Sequence, residues 1–414
     1  MPMEEDQRLQ EELAELFQVV SSYPAIDNHA HAFLKVENRD AMPFEGLISE
    51  ATGPALTEDA VHTLACYRAT AQLAKLFGLG KDATWEDVKR RRKELEYDQL
   101  CRLCMEPTHI QCILIDDGLG VRDLVYDYKW HDRYASSPTK RIVRIEVVAQ
   151  DILKDLIDAQ VAGTTLAPFT LWRSFTAKFT AQLKASAADP EVVGFKSVAC
   201  YRTGLDISII EEFADIEVGL MQLALRYEAT RTMRLSEKTV NDFVVTTALR
   251  IAGECGKPVQ FHTGLGDNDI TLTKSSPAHM QPVIKAFPNT KFVLLHSSYP
   301  FTQEAGYLTA VYRNVFLDFG EIFPFLSADG QRDVVKQVLE LCPTNKIMWS
   351  TDGHFWPESY YLGTIQARQA LYEVLEASIR RDELTLAQAK SIVKSAFFDT
   401  ANKVYHLGLL PQVV

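Results

Sequence analysis

The chain has 414 residues, is 47% hydrophobic and 24% charged, and carries a formal net charge of −12. So acidic a chain lacks the basic footprint of a nucleic-acid binder and the polybasic segments that dock on anionic membranes, and no apolar run reaches the roughly 18 residues a membrane span needs. The length alone admits one elaborated barrel or two ordinary domains.

Residues 4–20 read as an acidic helix, with neither the basic start nor the apolar core of a secretion signal, so a cytoplasmic location is expected. Beyond it, short β-rich runs alternate with longer helical patterns, which is the mark of βα units on a parallel sheet. The runs fall at 25–31, 111–116, 141–146, 192–199, 258–263, 291–296, 314–319 and 346–352. Several are nearly continuous apolar stretches, as strands covered on both faces require. Helical spacing of apolar residues appears at 148–160, 243–256, 301–313, 328–342 and 362–380. Two connections are too long for plain loops. One, at 32–110, carries helical patterns at 58–77 and 84–105, and the other, at 204–242, is largely helical. The tail at 383–414 reads as packing helices. Eight runs are the number that closes a (β/α)8 TIM barrel, so the expected fold class is α/β, with helical insertions after strands 1 and 4. Residues 1–414 are expected to form one barrel domain, the rival being a small separate domain at 32–110. The seven cysteines are irregularly spaced, and Cys101 and Cys104 make a CxxC with no second pair. They read as free thiols of a reducing compartment.

The first run ends in His29-Ala-His31, and residues two apart on a strand share a face. His262, His296 and Asp352 stand at or near the same ends of the fifth, sixth and eighth runs. The chain has only ten histidines, and in a parallel barrel these ends converge on one mouth. Imidazole nitrogens and carboxylate oxygens suit Zn²⁺, with Mn²⁺, Fe²⁺ or Ni²⁺ as alternatives. Arg202 suits a forked grip on a substrate carboxylate or, equally, a surface ion pair. Glu146, at the end of the third run, reads as pairing with Arg144 or touching substrate. His354 and Tyr201 lie within reach of the mouth. Asp116 and Asp117 read as turn formers, one of which could line the mouth. His62, His109, His131, His279 and His406 show no partner pattern.

His29-Ala-His31 with the ordered His262, His296 and Asp352 resembles the ligand set of the amidohydrolase superfamily. Gly194-Phe-Lys-Ser197, Tyr201-Arg-Thr-Gly-Leu205, Leu295-His-Ser-Ser-Tyr-Pro300 and Phe398-Asp-Thr-Ala-Asn402 resemble the amidohydrolase-like part of fungal FluG-type proteins and plant nodulin/glutamine-synthetase fusions. The resemblance covers about residues 20–410. It implies a metal-dependent hydrolase acting on an amide or other C–N bond of a small, carboxylate-bearing molecule, γ-glutamyl amides among them. Asp352 would be the general base towards a metal-activated water. It also implies two arrangements. In one, a carboxylated Lys196 bridges two ions held by His29, His31, His262, His296 and Asp352. In the other, His29, His31, His262 and Asp352 hold one ion and His296 acts beside them. Two alternatives stay open: a decarboxylase of unsaturated or aromatic acids, and a regulatory barrel without turnover. The expected partner is a small-molecule substrate, and homo-oligomerisation is left open.

Overall fold

A computed structural model describes residues 2–161, 168–209 and 212–413. In chain order the elements begin with α1 (Pro2–Ser22), β1 (Ala25–Ala30), α2 (Leu64–Leu76), α3 (Trp85–Glu94), α4 (Tyr97–Met105), β2 (Ile110–Asp116), β3 (Lys140–Arg144), α5 (Ile145–Val161) and α6 (Pro168–Ala188). They continue with β4 (Val192–Ser197), α7 (Ala199–Arg202), α8 (Phe213–Thr230), α9 (Lys238–Cys255), β5 (Val259–Phe261), α10 (Gln281–Ala286), β6 (Phe292–Leu294) and α11 (Thr302–Val311). The last are β7 (Val315–Asp318), α12 (Ile322–Phe325), α13 (Ala328–Leu341), β8 (Ile347–Met348), α14 (Pro357–Arg380), α15 (Leu386–Lys394) and α16 (Thr400–Val404). The strands lie in one eight-stranded sheet in the order β1 to β8. The segments at the two ends of that order also meet. The Asn28 N–H reaches the Trp349 carbonyl at 3.4 Å, and the Asp352 N–H reaches the His29 carbonyl at 3.0 Å. The architecture is the (β/α)8 barrel. Every residue of β1, β2 and β4 is buried, so the polar residues they carry, Asp27, Asn28, His29 and Lys196 among them, are held inside the fold.

The chain divides into two compact units. The first comprises Met1–Lys140, Gly266–Asn268 and Leu317–Val414. It contains the long insertion after β1. Phe44, Leu47, Leu73, Val88 and Leu100 share one core with Trp356 and with Leu362 of α14. A buried ion pair fastens the same seam. Arg92 Nε donates to Glu358 Oε1 at 2.7 Å, with side chains 2% and 0% exposed. The Arg92 guanidinium also covers the Phe44 ring at 4.3 Å. The second unit comprises Arg141–Leu265 and Asp269–Phe316.

Several boundaries differ from the sequence reading. The helix expected over 84–105 is two helices, because Leu95 turns extended and Glu96 accepts from the Asp98 and Gln99 N–H groups, capping a new start. The pattern at 58–77 begins as a π turn (Ala55–Asp59) and a 3-10 turn (Ala60–His62) and becomes α-helical only at Leu64, where the Thr63 hydroxyl accepts from the Cys66 N–H at 3.1 Å. The helix expected from 362 starts at Pro357, since proline suits a first turn, where its missing N–H costs nothing. The helix α6 is an addition to the expected elements. In the 204–242 insertion, α8 fills 213–230, and residues 210–211 lie outside the described residues. Six cysteines are buried and Cys255 is exposed, and none is bridged by a disulfide. Burial pushes the Cys101 thiol up to about 12, which keeps it protonated and unreactive. No helix among the described residues is long and apolar enough to cross a membrane.

Candidate metal centre

In the first unit, β1 delivers His29 into the barrel interior with no exposed surface and leaves His31, one residue past the strand, 6% exposed. Their Nε2 atoms lie 3.2 Å and 3.4 Å from the same oxygen, Asp352 Oδ1. The His31 Nδ1–H donates to the Asp116 carbonyl at 2.9 Å, which fixes the tautomer and leaves the Nε2 lone pair free to face a cation. Ligand atoms of His29, His31 and Asp116 all lie within 4.8 Å of one another. Asp116 therefore serves two ends. It is the expected turn former, its Oδ1 accepting from the Gly118 N–H at 2.9 Å, and it is a potential ligand.

Asp352 sits four residues beyond the short β8, on left-handed backbone at φ 51°. Contacts with the first strand hold it there. The His31 N–H donates to the Gly353 carbonyl at 2.7 Å, and the Tyr360 hydroxyl donates to the His31 carbonyl at 2.6 Å. Gly353 has no substitute, because a Cβ would fall 2.4 Å from the Tyr360 ring. Under this layer, Asp27 accepts from the Thr351 N–H at 2.9 Å and from the Thr351 hydroxyl. Burial pushes its carboxyl up to about 8. His354 Nδ1 lies 3.0 Å from the Asp352 carbonyl, and the residue lines a small cavity with Asp352, Thr351 and Glu321. Glu50, from the insertion, is raised to about 8 by burial and by the nearby Asp352 and Asp267. Neither Glu50 nor Glu321 stands out in the sequence, since no spacing ties an insertion residue or a post-strand glutamate to the HxH.

In the second unit, β4 buries Lys196, and its Nζ lies 3.5 Å from His296 Nε2. His262 follows β5 directly, and its N–H donates to the Ser197 carbonyl at 3.1 Å. Its Nε2–H donates to the Leu265 carbonyl at 2.6 Å. The His262 and His296 rings are 4.3 Å apart, and the Tyr201 and His262 rings 4.4 Å apart. His296, Ser297 and Ser298 are consecutive left-handed residues at φ 67°, 52° and 51°. That turn presses on Gly264, whose Cβ would meet the Tyr299 carbonyl oxygen at 2.3 Å. Glu146 corrects the sequence reading: β3 ends at Arg144 and Glu146 lies in the first turn of α5. There its Oε1 accepts from the Ser197 hydroxyl at 2.7 Å and the Val198 N–H at 3.0 Å, bracing the exit of β4. Arg202 closes the short α7, with Tyr201 beside it.

The donor chemistry fits a divalent cation. In the first unit two imidazole nitrogens and a carboxylate oxygen meet within ligand range, held from behind by backbone hydrogen bonds. A parallel barrel with such donors at strand ends has the form of an amidohydrolase-superfamily protein, and the comparisons agree. The profile of the family described as Amidohydrolase matches residues 155–407. Protein fluG of Emericella nidulans is 41% identical over 416 residues, which cover 96% of this chain and 47% of fluG. The chain belongs to the amidohydrolase family and spans about half the length of this curated relative. Among solved structures, one described as a metal-dependent hydrolase from Lactobacillus casei superposes with a TM-score of 0.79 at 26% identity, covering 95% of this chain and 97% of that one. A uronate isomerase from Bacillus halodurans shares the fold, with a TM-score of 0.63 at 12% identity over 96% of this chain and 97% of its own.

Proposed function

We propose that the chain is a metal-dependent hydrolase that cleaves an amide or other C–N bond of a small, carboxylate-bearing molecule. The observation that carries this reading is the approach of two buried imidazoles to one Asp352 oxygen, at 3.2 Å and 3.4 Å. His29, His31, Lys196, His262, His296 and Asp352 are the proposed ligands for one or two divalent ions, Zn²⁺ first among them, with Lys196 as a carbamate if there are two. The bound ion would supply Lewis acidity and a water acidic enough to ionise near neutral pH.

The side chains do the rest. Asp352 takes a proton at its carboxylate and returns it to the leaving nitrogen. The His31 N–H and Asp352 N–H bonds to the neighbouring backbone keep both groups in place through the transfer. His296 is the second proposed catalytic group. Tyr201, Arg202, Glu146 and His354 are the proposed substrate contacts. Glu146 Oε2, buried with no hydrogen-bond partner among the described residues, has acceptor capacity to spare.

The test is elemental analysis of purified protein joined to a screen of amides, γ-glutamyl amides included, read by ammonia or amine release. Asp352→Asn is expected to keep its metal and lose about 10²- to 10⁴-fold in turnover, the range general-base groups supply. Full activity in that variant removes the role. Release of CO₂ from aromatic acids, with no amide turned over, replaces hydrolysis by decarboxylation.

A further inference from the structure

Within the first unit, the segment that leaves β2 folds back along the segment that leaves β1. The Lys35 N–H donates to the Leu124 carbonyl at 2.8 Å and the Tyr126 N–H to the Phe33 carbonyl at 2.9 Å, with Leu34 bridged antiparallel to Val125. Tyr126 is fixed twice more. Its ring stacks on Trp130 at 3.8 Å with the planes 2° apart, and its hydroxyl oxygen accepts from the Val36 N–H at 3.1 Å. The two segments line a cavity of about 410 Å³. Leu119, Val121 and Val125 form its apolar wall, and Val125 is backed by the core of the insertion. Lys35 and Tyr126 bring donors to the same lining. The Lys35 ammonium donates to the Asp123 carbonyl at 2.9 Å and meets no carboxylate among the described residues. The Tyr126 hydroxyl accepts once and donates to nothing among them. Each donor therefore keeps a hydrogen to give, and the backbone bonds of the two segments hold both in place. Asp116 completes the lining, and its ligand atom lies within 4.8 Å of those of His29 and His31, so the cavity adjoins the candidate metal centre. An apolar wall with a few placed polar groups, in a volume of about 300–1,000 Å³, is the make-up of a small-molecule pocket.

We propose that this cavity holds an aromatic ring of the substrate, with Lys35 and Tyr126 donating to an oxygen carried on that ring. Leu119, Val121 and Val125 cover the ring, and an aromatic group buries far more apolar area against such a wall than a short aliphatic chain does. The ring's oxygen takes the hydrogens that the ammonium and the phenol have left, one of them from a charged donor. The bond to be cleaved lies at the Asp116 end. The substrate class is therefore the aryl amides, in place of aliphatic γ-glutamyl amides. This deepens the proposed function and rests on it for the reaction, but holding the ring needs no metal.

Isothermal titration calorimetry on chelator-stripped protein separates the pocket from the metal. Benzoate and glutarate are the probes, an aryl and an aliphatic acid. Benzoate is expected to bind stripped protein, and more tightly than glutarate. Lys35→Met is expected to weaken benzoate about tenfold to a hundredfold, the worth of a hydrogen bond to a charged group. Val121→Trp fills the cavity and is expected to abolish benzoate binding while elemental analysis finds wild-type metal content. Lys336→Gln, on an exposed helical pair with Asp333, is expected to bind as wild type. Circular dichroism checks that the variants fold. The pocket is overturned if benzoate fails to bind stripped protein, if glutarate binds as tightly, or if folded Lys35→Met binds benzoate as well as wild type. Turnover of γ-glutamyl amides without benzoate binding would remove the pocket and keep the hydrolysis. Benzoate binding lost in Val121→Trp, in a protein that takes up no metal, would sink the hydrolysis and leave the pocket standing.

Discussion

The Arg92–Glu358 pair allows the seam between the insertion and α14 to be weighed. Glu358→Gln removes the anion at 2.7 Å from Arg92 Nε and leaves a guanidinium that is 2% exposed. The remaining carboxylate, Asp40, is 3.5 Å away and half in solvent, a weak substitute. Breaking a buried pair on one side typically costs about 3–5 kcal/mol, because the survivor stays buried and uncompensated. The partial help from Asp40 puts the expectation at the lower end, about 3 kcal/mol. Replacing both partners, Arg92→Met with Glu358→Leu, removes both desolvation penalties and is expected to recover most of the loss. The assay is urea unfolding followed by circular dichroism, with the cycle completed by Arg92→Met alone. Because Trp356 shares the same core and lies two residues from His354, the single variants should also raise KM once a substrate is known. A Glu358→Gln variant within 1 kcal/mol of wild type, or a double variant as unstable as the singles, would refute this account of how the insertion is held, each judged against the roughly 3–5 kcal/mol expected.

Further expectations concern the site. Gly264→Ala should disrupt the turn at His296, because its Cβ meets backbone oxygen at 2.3 Å, and should lower metal occupancy; Gly78→Ala, on positive-φ backbone with open space around it, should cost stability without touching metal content. Tyr360→Phe leaves the buried His31 carbonyl without its hydroxyl donor and should cost about 1–3 kcal/mol with weaker metal retention, read by thermal melting and elemental analysis. Asp27 holds its proton to about pH 8 when folded but releases it near pH 4 when unfolded. Folding therefore takes up a proton between those values, and this group's contribution falls by up to about 1.4 kcal/mol per unit as pH rises through that window, then levels off. Unfolding of metal-free Asp27→Asn from pH 5 to 8 should show a shallower decline than wild type; an unchanged slope sinks the assignment. Protein grown with ¹³C-bicarbonate should show a carbamate resonance that Lys196→Arg lacks if Lys196 bridges two ions; its absence in metal-replete protein leaves the one-ion arrangement.

The barrel was legible because strands buried on both faces, such as 111–116 and 192–197, cannot disguise their composition. The HxH was legible because a two-residue period on a strand has one geometric consequence, and His29 and His31 do meet at Asp352. Glu146 was misplaced because β3 passes into α5 with no turn residues between Arg144 and Ile145, so neither glycine nor a capping side chain marks the change of period. The α6 helix did carry a signal in Phe175, Phe179 and Leu183, four apart and all buried, but nothing set it off from the connection around it. Asp116 was half read: its turn bond to Gly118 is local, whereas its meeting with His29 and His31 depends on β1 lying beside β2. Glu50 depends wholly on tertiary placement.

The most direct measurement is anomalous diffraction from crystals of the metal-replete protein, collected at the absorption edge of the metal that elemental analysis identifies. The account predicts a peak within bonding range of His29 Nε2, His31 Nε2 and an Asp352 oxygen, lost in a His29→Ala, His31→Ala double variant. A protein that binds no transition metal, or a peak away from these three side chains, would contradict it.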